Sequence, residues 1–261
     1  MPDNILEIDR VTHAFGGLKA VDGCTFSVKR GSITALIGPN GAGKTTLVNL
    51  VAGALKCRIG SIVFDGAVIS GRPSFQIGQR GLIRTFQISR ELGNLTVLEN
   101  LLVVVPHQRG EGLLNTIFRP AIGRNETRIN VAKALGVLDT FRLYGHRDEY
   151  AKNLSGGQKR LLELARAVMA EPKLLLLDEP MASINPALVA QIAVRFQALR
   201  DAGITLLMVE HNLSAVDEVC DDVVVMAEGR ALARGRLAEL RLNEAVVRAY
   251  LGGVHANRPA G

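Results

Sequence analysis

Aromatic residues are scarce in this chain, which has no tryptophan and only three tyrosines among 261 residues. Proteins that bind single-stranded nucleic acid stack its bases on aromatic rings. The basic residues are also dispersed along the sequence, although the net charge is +6 at pH 7. A polyanionic ligand or an anionic membrane surface fits that charge better, and we expect no nucleic-acid partner.

Long hydrophobic runs are absent as well. The apolar stretches, such as 101–105 and 174–177, fall short of the about 20 residues that cross a bilayer. The N-terminus is acidic, without a basic segment ahead of an apolar one, so we expect no signal peptide and a cytoplasmic location. The three cysteines, Cys24, Cys57 and Cys220, lack metal-ligand spacing and are expected to be reduced core residues.

Hydrophobic residues make up 48% of the chain and charged residues 21%, enough for a substantial core. The first third alternates short apolar strands with turns. The predicted strands are 5–9, 25–28, 32–37 and 61–65. This pattern predicts an antiparallel β-rich layer that leads into one buried strand and then an amphipathic helix.

A helical pattern follows from about residue 90 to 165. Thr96 and Glu99 form a capping box, 107–120 is a loop-rich insertion, and 128–138 resumes the helical period. We interpret this stretch as a helical subdomain inserted into one α/β domain that spans 1–261.

Strands and helices alternate through the last third of the sequence. After a buried central strand within "KLLLLDEP", 173–180, we expect a helix from Pro186, capped by Asn185. A strand, a helix and a further strand "DVVVMAEG", 222–229, should follow. A last helix and tail are expected over about 236–261. Such alternation predicts a mostly parallel core sheet covered by helices, hence an α/β fold.

Residues 38–45, "GPNGAGKT", match the P-loop pattern G-x-x-x-x-G-K-[ST] and lie between a buried strand and a helix. Backbone N–H groups of such a loop wrap a β-phosphate, Lys44 reaches the β/γ oxygens, and the Thr45 hydroxyl binds Mg²⁺. An accidental glycine-rich turn is the alternative. The candidate nucleotide-binding residues here are Gly38, Asn40, Gly41, Gly43, Lys44, Thr45 and Thr46.

Two carboxylates, Asp178 and Glu179, follow the buried strand at the edge where open α/β sheets bind ligands. Neighbouring side chains point opposite ways, so we expect Asp178 to hold Mg²⁺ and Glu179 to deprotonate an attacking water. General base catalysis contributes about 10²–10⁴-fold in rate. Without a P-loop, this pair would be more typical of a solvated strand end.

A second candidate phosphate site is "NLSGGQKR" at 153–160. Ser155 and Gln158 form a capping box, yet Gly156 and Gly157 occupy the first turn, where each glycine costs roughly 1 kcal/mol of helix propensity. Glycines there suit a helix end that an anion approaches closely. Spacing alone leaves open whether both phosphate sites meet in one molecule.

The P-loop, "LSGGQ" and "LLLLDEP", in that order, resemble ABC-type ATPases, the nucleotide-binding subunits of ATP-driven transporters, over nearly the whole chain. The resemblance implies two domains arranged head to tail. In that arrangement Ser155, Gly157 and Gln158 of one domain contact the ATP held by the P-loop of the other. ATP would then join two domains, and its hydrolysis would release them.

The same resemblance assigns roles to single residues. Gln87 would sense Mg²⁺ or the attacking water and touch the membrane partner, His211 would contact the γ-phosphate, and Phe15 would stack on adenine. An ordinary loop glutamine, a structural histidine and a core phenylalanine are the respective alternatives. The implied catalytic set is Glu179, His211 and Gln87; the implied metal set is Thr45, Gln87 and Asp178.

Residues 183–186, "SINP", match the family loop that crosses the dimer interface. Many relatives carry Gly where this chain has Ser183 and Asp where it has Asn185. Asn185 keeps its hydrogen-bonding groups but lacks the charge, so the resemblance implies coupling between the two sites less firmly than it implies binding.

Within the family, "GLIRTFQ", "LTVLENLLV", "VEHNLSAV" and "VVRAYLG" resemble the ATP-binding subunits of branched-chain amino acid importers. Lipopolysaccharide-export and urea- or amide-import ATPases share much of this pattern. The resemblance implies ATP and Mg²⁺, transmembrane permease subunits, and a second ATP-binding subunit, identical or different. It also implies an indirect periplasmic or extracellular substrate-binding protein and a peripheral location on the cytoplasmic membrane face.

Two further function classes are alternatives. A soluble ABC-type ATPase acting on DNA or ribosomes would usually carry a coiled-coil insertion or a second fused ATPase domain, and neither is present in the sequence. A nucleotide-binding module without turnover is disfavoured because Glu179 and His211 are both in place.

Overall fold

The structure is a computed structural model that describes residues 3–85, 92–106, 120–182 and 186–255. It divides into two compact units, one formed by 1–84 with 173–261 and the other by 85–172. None of the helices in the described ranges is long and apolar enough to cross a membrane.

An antiparallel sheet opens the first unit. It contains β1 (Asn4–Phe15), β2 (Leu18–Lys29), β4 (Ile59–Phe64) and β5 (Ala67–Val68), in the order β2-β1-β4-β5. The first two strands are longer than predicted because they continue into a hairpin that turns at Gly16, whose φ is 57°. Within β1, Leu6 and Ile8 are buried while Glu7 and Asp9 are exposed, as the period-2 pattern predicts.

The core sheet lies in the same unit. Its strands are β3 (Ile33–Ile37), β6 (Leu82–Arg84), β7 (Leu174–Asp178), β8 (Thr205–Val209), β9 (Asp222–Ala227) and β10 (Arg230–Gly235). Their order is β10-β9-β3-β8-β7-β6, and every pair is parallel except β9 with β10. Every residue of β3, β7 and β8 is buried, which explains their continuous apolar runs.

The helices of the first unit lie between these strands in the sequence or follow the last of them. They are α1 (Lys44–Val51), α2 (Ser74–Gly78), α6 (Pro186–Asp201), α7 (Leu213–Val219), α8 (Leu237–Leu240) and α9 (Glu244–His255). The side chain of Asn212 caps α7 by accepting from the backbone N–H groups of Ser214 and Ala215. The helix predicted from Pro186 is confirmed, while its predicted cap, Asn185, lies outside the described residues.

The single C-terminal helix predicted from about residue 236 is wrong, because the chain forms α8 and α9 with a break between them. Asn243 lies in the break, and its Oδ1 accepts from the backbone N–H of Ala245 at 2.9 Å. An asparagine that bonds the following N–H groups acts as an N-cap and starts a new helix.

The strand β10 was not predicted. The sequence pattern carried β9 through Gly229, whereas the strand ends at Ala227. Glu228 and Gly229 then take φ values of 49° and 77°. Two consecutive positive φ values produce the turn that joins antiparallel strands in a hairpin.

The second unit is helical. It contains α3 (Val97–Leu102), α4 (Pro120–Thr140), two short 3₁₀ turns (Tyr144–His146 and Ala151–Asn153) and α5 (Gly156–Met169). The predicted capping box is confirmed, since Thr96 and Glu99 exchange side-chain to backbone hydrogen bonds at the start of α3. Most of the predicted loop-rich insertion, 107–119, lies outside the described residues.

Candidate functional site

Three neighbouring strands of the core sheet end at the same edge. The P-loop follows β3, His211 follows β8, and Asp178 ends β7. β8 pairs with both β3 and β7. Parallel strands bring their carboxyl ends together, so the sheet places these three sequence segments side by side.

The P-loop depends on glycine at two points. Gly38 and Gly43 have φ values of 151° and 94°. A Cβ at Gly38 would lie 2.1 Å from the Met226 carbonyl oxygen, and one at Gly43 would lie 2.1 Å from that of Ala20. No side chain fits at either position, so the loop backbone packs directly against its neighbours.

Lys44 is held beneath the loop. Its side chain is 6% exposed, and Nζ donates to the carbonyl oxygens of Gly38 at 2.8 Å and Pro39 at 2.9 Å. Burial lowers the pKa of Lys44, and the nearby charges of Glu179 and Asp178 oppose that shift. The ammonium group therefore lies close to both carboxylates predicted to act with it.

The N-terminus of α1 is open for an anion. Its N-cap is Gly43, which offers no side-chain cap, and the first turn carries no acidic residue. Thr45 is exposed and Thr46 is half-buried in this turn. The first backbone N–H groups of the helix thus create a region of positive potential that suits phosphate.

Asp178 is paired with a cation that sequence reasoning missed. Its carboxylate is 3% exposed and accepts from Arg84 Nη2 at 3.0 Å. Arg84 Nη1 also donates to Oδ1 of Asn49 on α1. The signal in the sequence is an arginine at the end of a strand, three residues before the predicted Gln87.

Glu179 and His211 are in direct contact. Glu179 Oε1 lies 2.8 Å from His211 Nε2, and the backbone N–H of Glu179 donates to the Val209 carbonyl at 2.9 Å. Glu179 has a φ of 48°, a left-handed conformation that is rare for a side-chain-bearing residue. The turn after β7 thus directs this carboxylate toward the residue that follows β8.

Glu210 is a second residue that the sequence did not reveal. It is 2% exposed, and its carboxylate accepts from the backbone N–H groups of Met181 at 2.8 Å and His211 at 3.2 Å. Burial raises its pKa, while these hydrogen bonds oppose the shift. Glu210 therefore links the loop after β7, which contains Met181, to the loop after β8, which contains His211.

Phe15 ends β1 and is 52% exposed, so it is not a core residue. The ring of His13 approaches it edge-on with 4.8 Å between centroids. An exposed, supported aromatic ring provides a surface on which a planar base can stack.

The capping box predicted at the start of α5 is confirmed within the second unit. Gln158 N–H donates to Ser155 Oγ at 3.3 Å, and Ser155 N–H donates to Gln158 Oε1 at 2.8 Å. Gly156 and Gly157 form the first turn, and a Cβ at Gly156 would meet only open space. That glycine is not required by packing, in contrast to Gly38 and Gly43.

Three residues named from the sequence lie outside the described residues: Gln87, Ser183 and Asn185. Their assigned roles stay predictions. The roles given to the P-loop residues, Asp178, Glu179, His211, Phe15 and the signature residues also stay predictions; the structure gives only the positions and contacts described above.

A buried parallel sheet with a P-loop after one strand and a carboxylate pair after a nearby one defines the class of P-loop nucleotide hydrolases. The model of the ABC transporter family matches residues 21–182, and the chain belongs to that family. It is the ATP-binding, ATP-hydrolysing subunit of an ABC transporter, so the predictions of family, fold class and enzyme class are confirmed.

Relatives and solved structures agree with this assignment. The probable branched-chain amino acid transport ATP-binding protein LivG of Archaeoglobus fulgidus is 42% identical, over 95% of each chain. The high-affinity branched-chain amino acid transport ATP-binding protein BraF of Pseudomonas aeruginosa is 36% identical, over 95% of this chain and 98% of its own. A crystal structure of an ABC-transporter ATP-binding cassette in its ADP conformation matches with a TM-score of 0.82 and 37% identity, over 95% of this chain and 99% of that one.

Proposed function

We propose that this subunit powers the import of branched-chain amino acids, working with transmembrane permease subunits. The observation that carries the proposal is the branched-chain amino acid transport function of relatives that match almost end to end at 42% and 36% identity. The transported amino acid would contact the permease and an extracytoplasmic binding protein. This chain would supply the free energy of ATP hydrolysis from the cytoplasmic membrane face.

We infer that ATP binds first at the edge of the core sheet. The loop from Gly38 to Gly43 and the open N-terminus of α1 offer backbone N–H groups to the phosphates, and Lys44 adds a positive charge. Phe15 supports the adenine ring. The buried ammonium group of Lys44 bonds the carbonyls of Gly38 and Pro39, and these bonds help to fix the conformation of the loop.

The residues at this edge fit a magnesium ion. Thr45 offers a hydroxyl oxygen and Asp178 a carboxylate, which are the oxygen ligands that Mg²⁺ prefers. In the structure the Asp178 carboxylate, 3% exposed, is paired with the guanidinium group of Arg84. Bound magnesium would neutralise phosphate charge, and Gln87 would join this set by resemblance.

Glu179 is positioned to act on water. Its carboxylate contacts His211 Nε2 at 2.8 Å, and the carboxylate of Glu210 accepts a hydrogen bond from the backbone N–H of His211. We propose that Glu179 accepts the proton of the attacking water and that His211 holds the carboxylate and the γ-phosphate in place. Proton transfer of this kind supplies about 10²–10⁴-fold in rate.

The signature helix would complete the site from a second ATP-binding subunit. The N-terminus of α5 presents the Ser155 hydroxyl and bare N–H groups, which suit a γ-phosphate. The partner subunit is a second copy of this chain or a different one, and hydrolysis would let the two separate. This two-state cycle converts chemistry into motion of the permease.

Uptake in the host organism tests the transported solute. We expect deletion of this chain to abolish high-affinity uptake of radiolabelled leucine, isoleucine and valine, and the wild-type chain to restore it. A Glu179→Gln chain, which keeps the fold, should fail to restore it. Unchanged uptake of these amino acids, with loss of urea or amide uptake or of lipopolysaccharide at the cell surface, would contradict the proposal.

A further inference from the structure

The side-chain amide of Gln158 makes a hydrogen bond at each end within its own unit. Its Oε1 accepts from the Ser155 backbone N–H at 2.8 Å, and its Nε2 lies 2.9 Å from His146 Nε2. The other ring nitrogen of His146, Nδ1, lies 2.9 Å from Glu149 Oε1. Gln158 is thus held from two sides before any nucleotide approaches.

The donor and the acceptor of every bond in this hydrogen-bond chain follow from the bond between Ser155 and Gln158. A backbone N–H can only donate, so the Gln158 atom facing Ser155 must be the carbonyl oxygen and the atom facing His146 must be the amide nitrogen. His146 Nε2 must then accept, which leaves the ring proton on Nδ1. Nδ1–H donates in turn to the Glu149 carboxylate.

The segment that carries His146 is firmly anchored. His146 N–H donates to the Leu143 carbonyl at 3.0 Å, and Leu143 itself is buried. The Glu149 carbonyl accepts from the N–H of Val97, the first residue of α3. The imidazole therefore has a fixed position from which to orient the amide of Gln158.

We propose that His146 is a positioning residue for the signature helix, acting through Gln158 on Ser155. By fixing the amide, it keeps the Gln158 carbonyl on the Ser155 N–H and so holds the Ser155 hydroxyl at the mouth of α5. In this role Gln158 connects His146 to Ser155 through its side-chain amide. The proposal rests on the proposed function, in which Ser155 meets the nucleotide of the second subunit.

The tautomer of His146 in the wild-type protein, that is, which ring nitrogen carries the proton, tests the hydrogen-bond chain. The wild-type protein is labelled with ¹⁵N-histidine, and its ring nitrogens are recorded at pH 8.5, where imidazoles are neutral. A His146→Gln sample identifies the signals of His146 among the five histidines. We expect a proton on Nδ1; a proton on Nε2 would overturn the proposal.

Two isosteric variants test the effect on catalysis. His146→Gln places an amide oxygen where Nε2 lies, so it still accepts from Gln158. The side chain in His146→Asn is one bond shorter, so its amide can still bond the Glu149 carboxylate but cannot reach the Gln158 amide. Both are measured as the transporter complex captured through an affinity tag on this chain, with thermal unfolding midpoints recorded for each.

Loss of one hydrogen bond predicts a kcat for ATP hydrolysis reduced roughly two- to tenfold in His146→Asn. His146→Gln should stay within about twofold of wild type by the same reasoning. ATP affinity of the purified chain should be unchanged in both, because its own P-loop lies in the other unit. A wild-type kcat in His146→Asn, or equal losses in both variants, would overturn the proposal.

Failure of the proposed function gives a different result. A complex with Glu179→Gln that still hydrolyses ATP at the wild-type rate would overturn the proposed function, and this proposal with it. A complex inactivated by Glu179→Gln but unaffected by His146→Asn overturns the role of His146 alone.

Discussion

At the scale of single residues, two buried charged side chains of the candidate site are bonded to backbone atoms. Lys44 bonds two carbonyls of its own loop, and Glu210 bonds two backbone N–H groups. Because these partners belong to the backbone, the side chains have little freedom to reorient. Substitutions should therefore separate a loss of function from a loss of fold.

Lys44→Ala should weaken ATP binding at least tenfold. The variant loses charge-assisted hydrogen bonds to phosphate worth about 1.5–3 kcal/mol each. Titration calorimetry with ATP measures the affinity, and Lys29→Ala, at an exposed lysine on β2, serves as the control. Unchanged affinity in Lys44→Ala would contradict the assignment of the P-loop.

The thiols should react slowly in the folded protein. Burial raises the pKa of Cys24 to about 11 and that of Cys220 to about 12, and it also raises that of Cys57. Only the thiolate reacts with a disulfide reagent. At pH 8 we expect slow labelling that speeds up as the pH rises toward 11, and rapid labelling of all three thiols in denaturant.

Fast reaction of Cys24 with a disulfide reagent at pH 8 under native conditions would contradict the buried position of this residue in β2. Peptide mapping after the reaction identifies which thiol was labelled.

At the scale of elements, the sequence predicted those features that depend on local chemistry. The capping boxes at Thr96 and Ser155 are confirmed because each needs only residues three positions apart. The buried strands β3, β7 and β8 were equally visible from their apolar runs. The P-loop was visible because its glycines and Lys44 are adjacent in sequence.

Features that depend on distant partners were missed. Arg84 bonds Asp178, which lies 94 positions away, and Glu210 bonds Met181, which lies 29 positions away. The hairpin to β10 and the break at Asn243 were missed for another reason, since apolar periodicity masked local turn and cap residues. These signals were present in the sequence but weaker than the pattern beside them.

Gly43→Ala should destabilise the protein more than Gly41→Ala. Both positions have left-handed backbone, with φ values of 94° and 80°, and share the strain of a new side chain. A Cβ at Gly43 also lies 2.1 Å from the Ala20 carbonyl oxygen, whereas one at Gly41 meets nothing within 4 Å. We expect the free energies of unfolding to differ by about 1–3 kcal/mol in urea titrations. Equal values would contradict the close packing of Gly43.

At the scale of the whole molecule, the groups for ATP chemistry are divided between two units. The P-loop, Asp178, Glu179 and His211 belong to the first unit, and the signature helix α5 belongs to the second. We expect one subunit to bind ATP through the first unit alone. Hydrolysis would then require the second unit of a partner, which makes turnover depend on association.

The size of a Glu179→Gln variant in ATP tests the central claim most directly. This change keeps a side chain of the same shape but removes the base, so ATP should stay bound and hold two subunits together. Light scattering in saturating Mg-ATP should give about twice the 28.0 kDa mass of one chain. With a different partner subunit present, it should give the summed mass of the two subunits. Without nucleotide, it should give the mass of the monomer. A mass of 28.0 kDa in saturating Mg-ATP, alone and with the partner subunit present, would contradict the account.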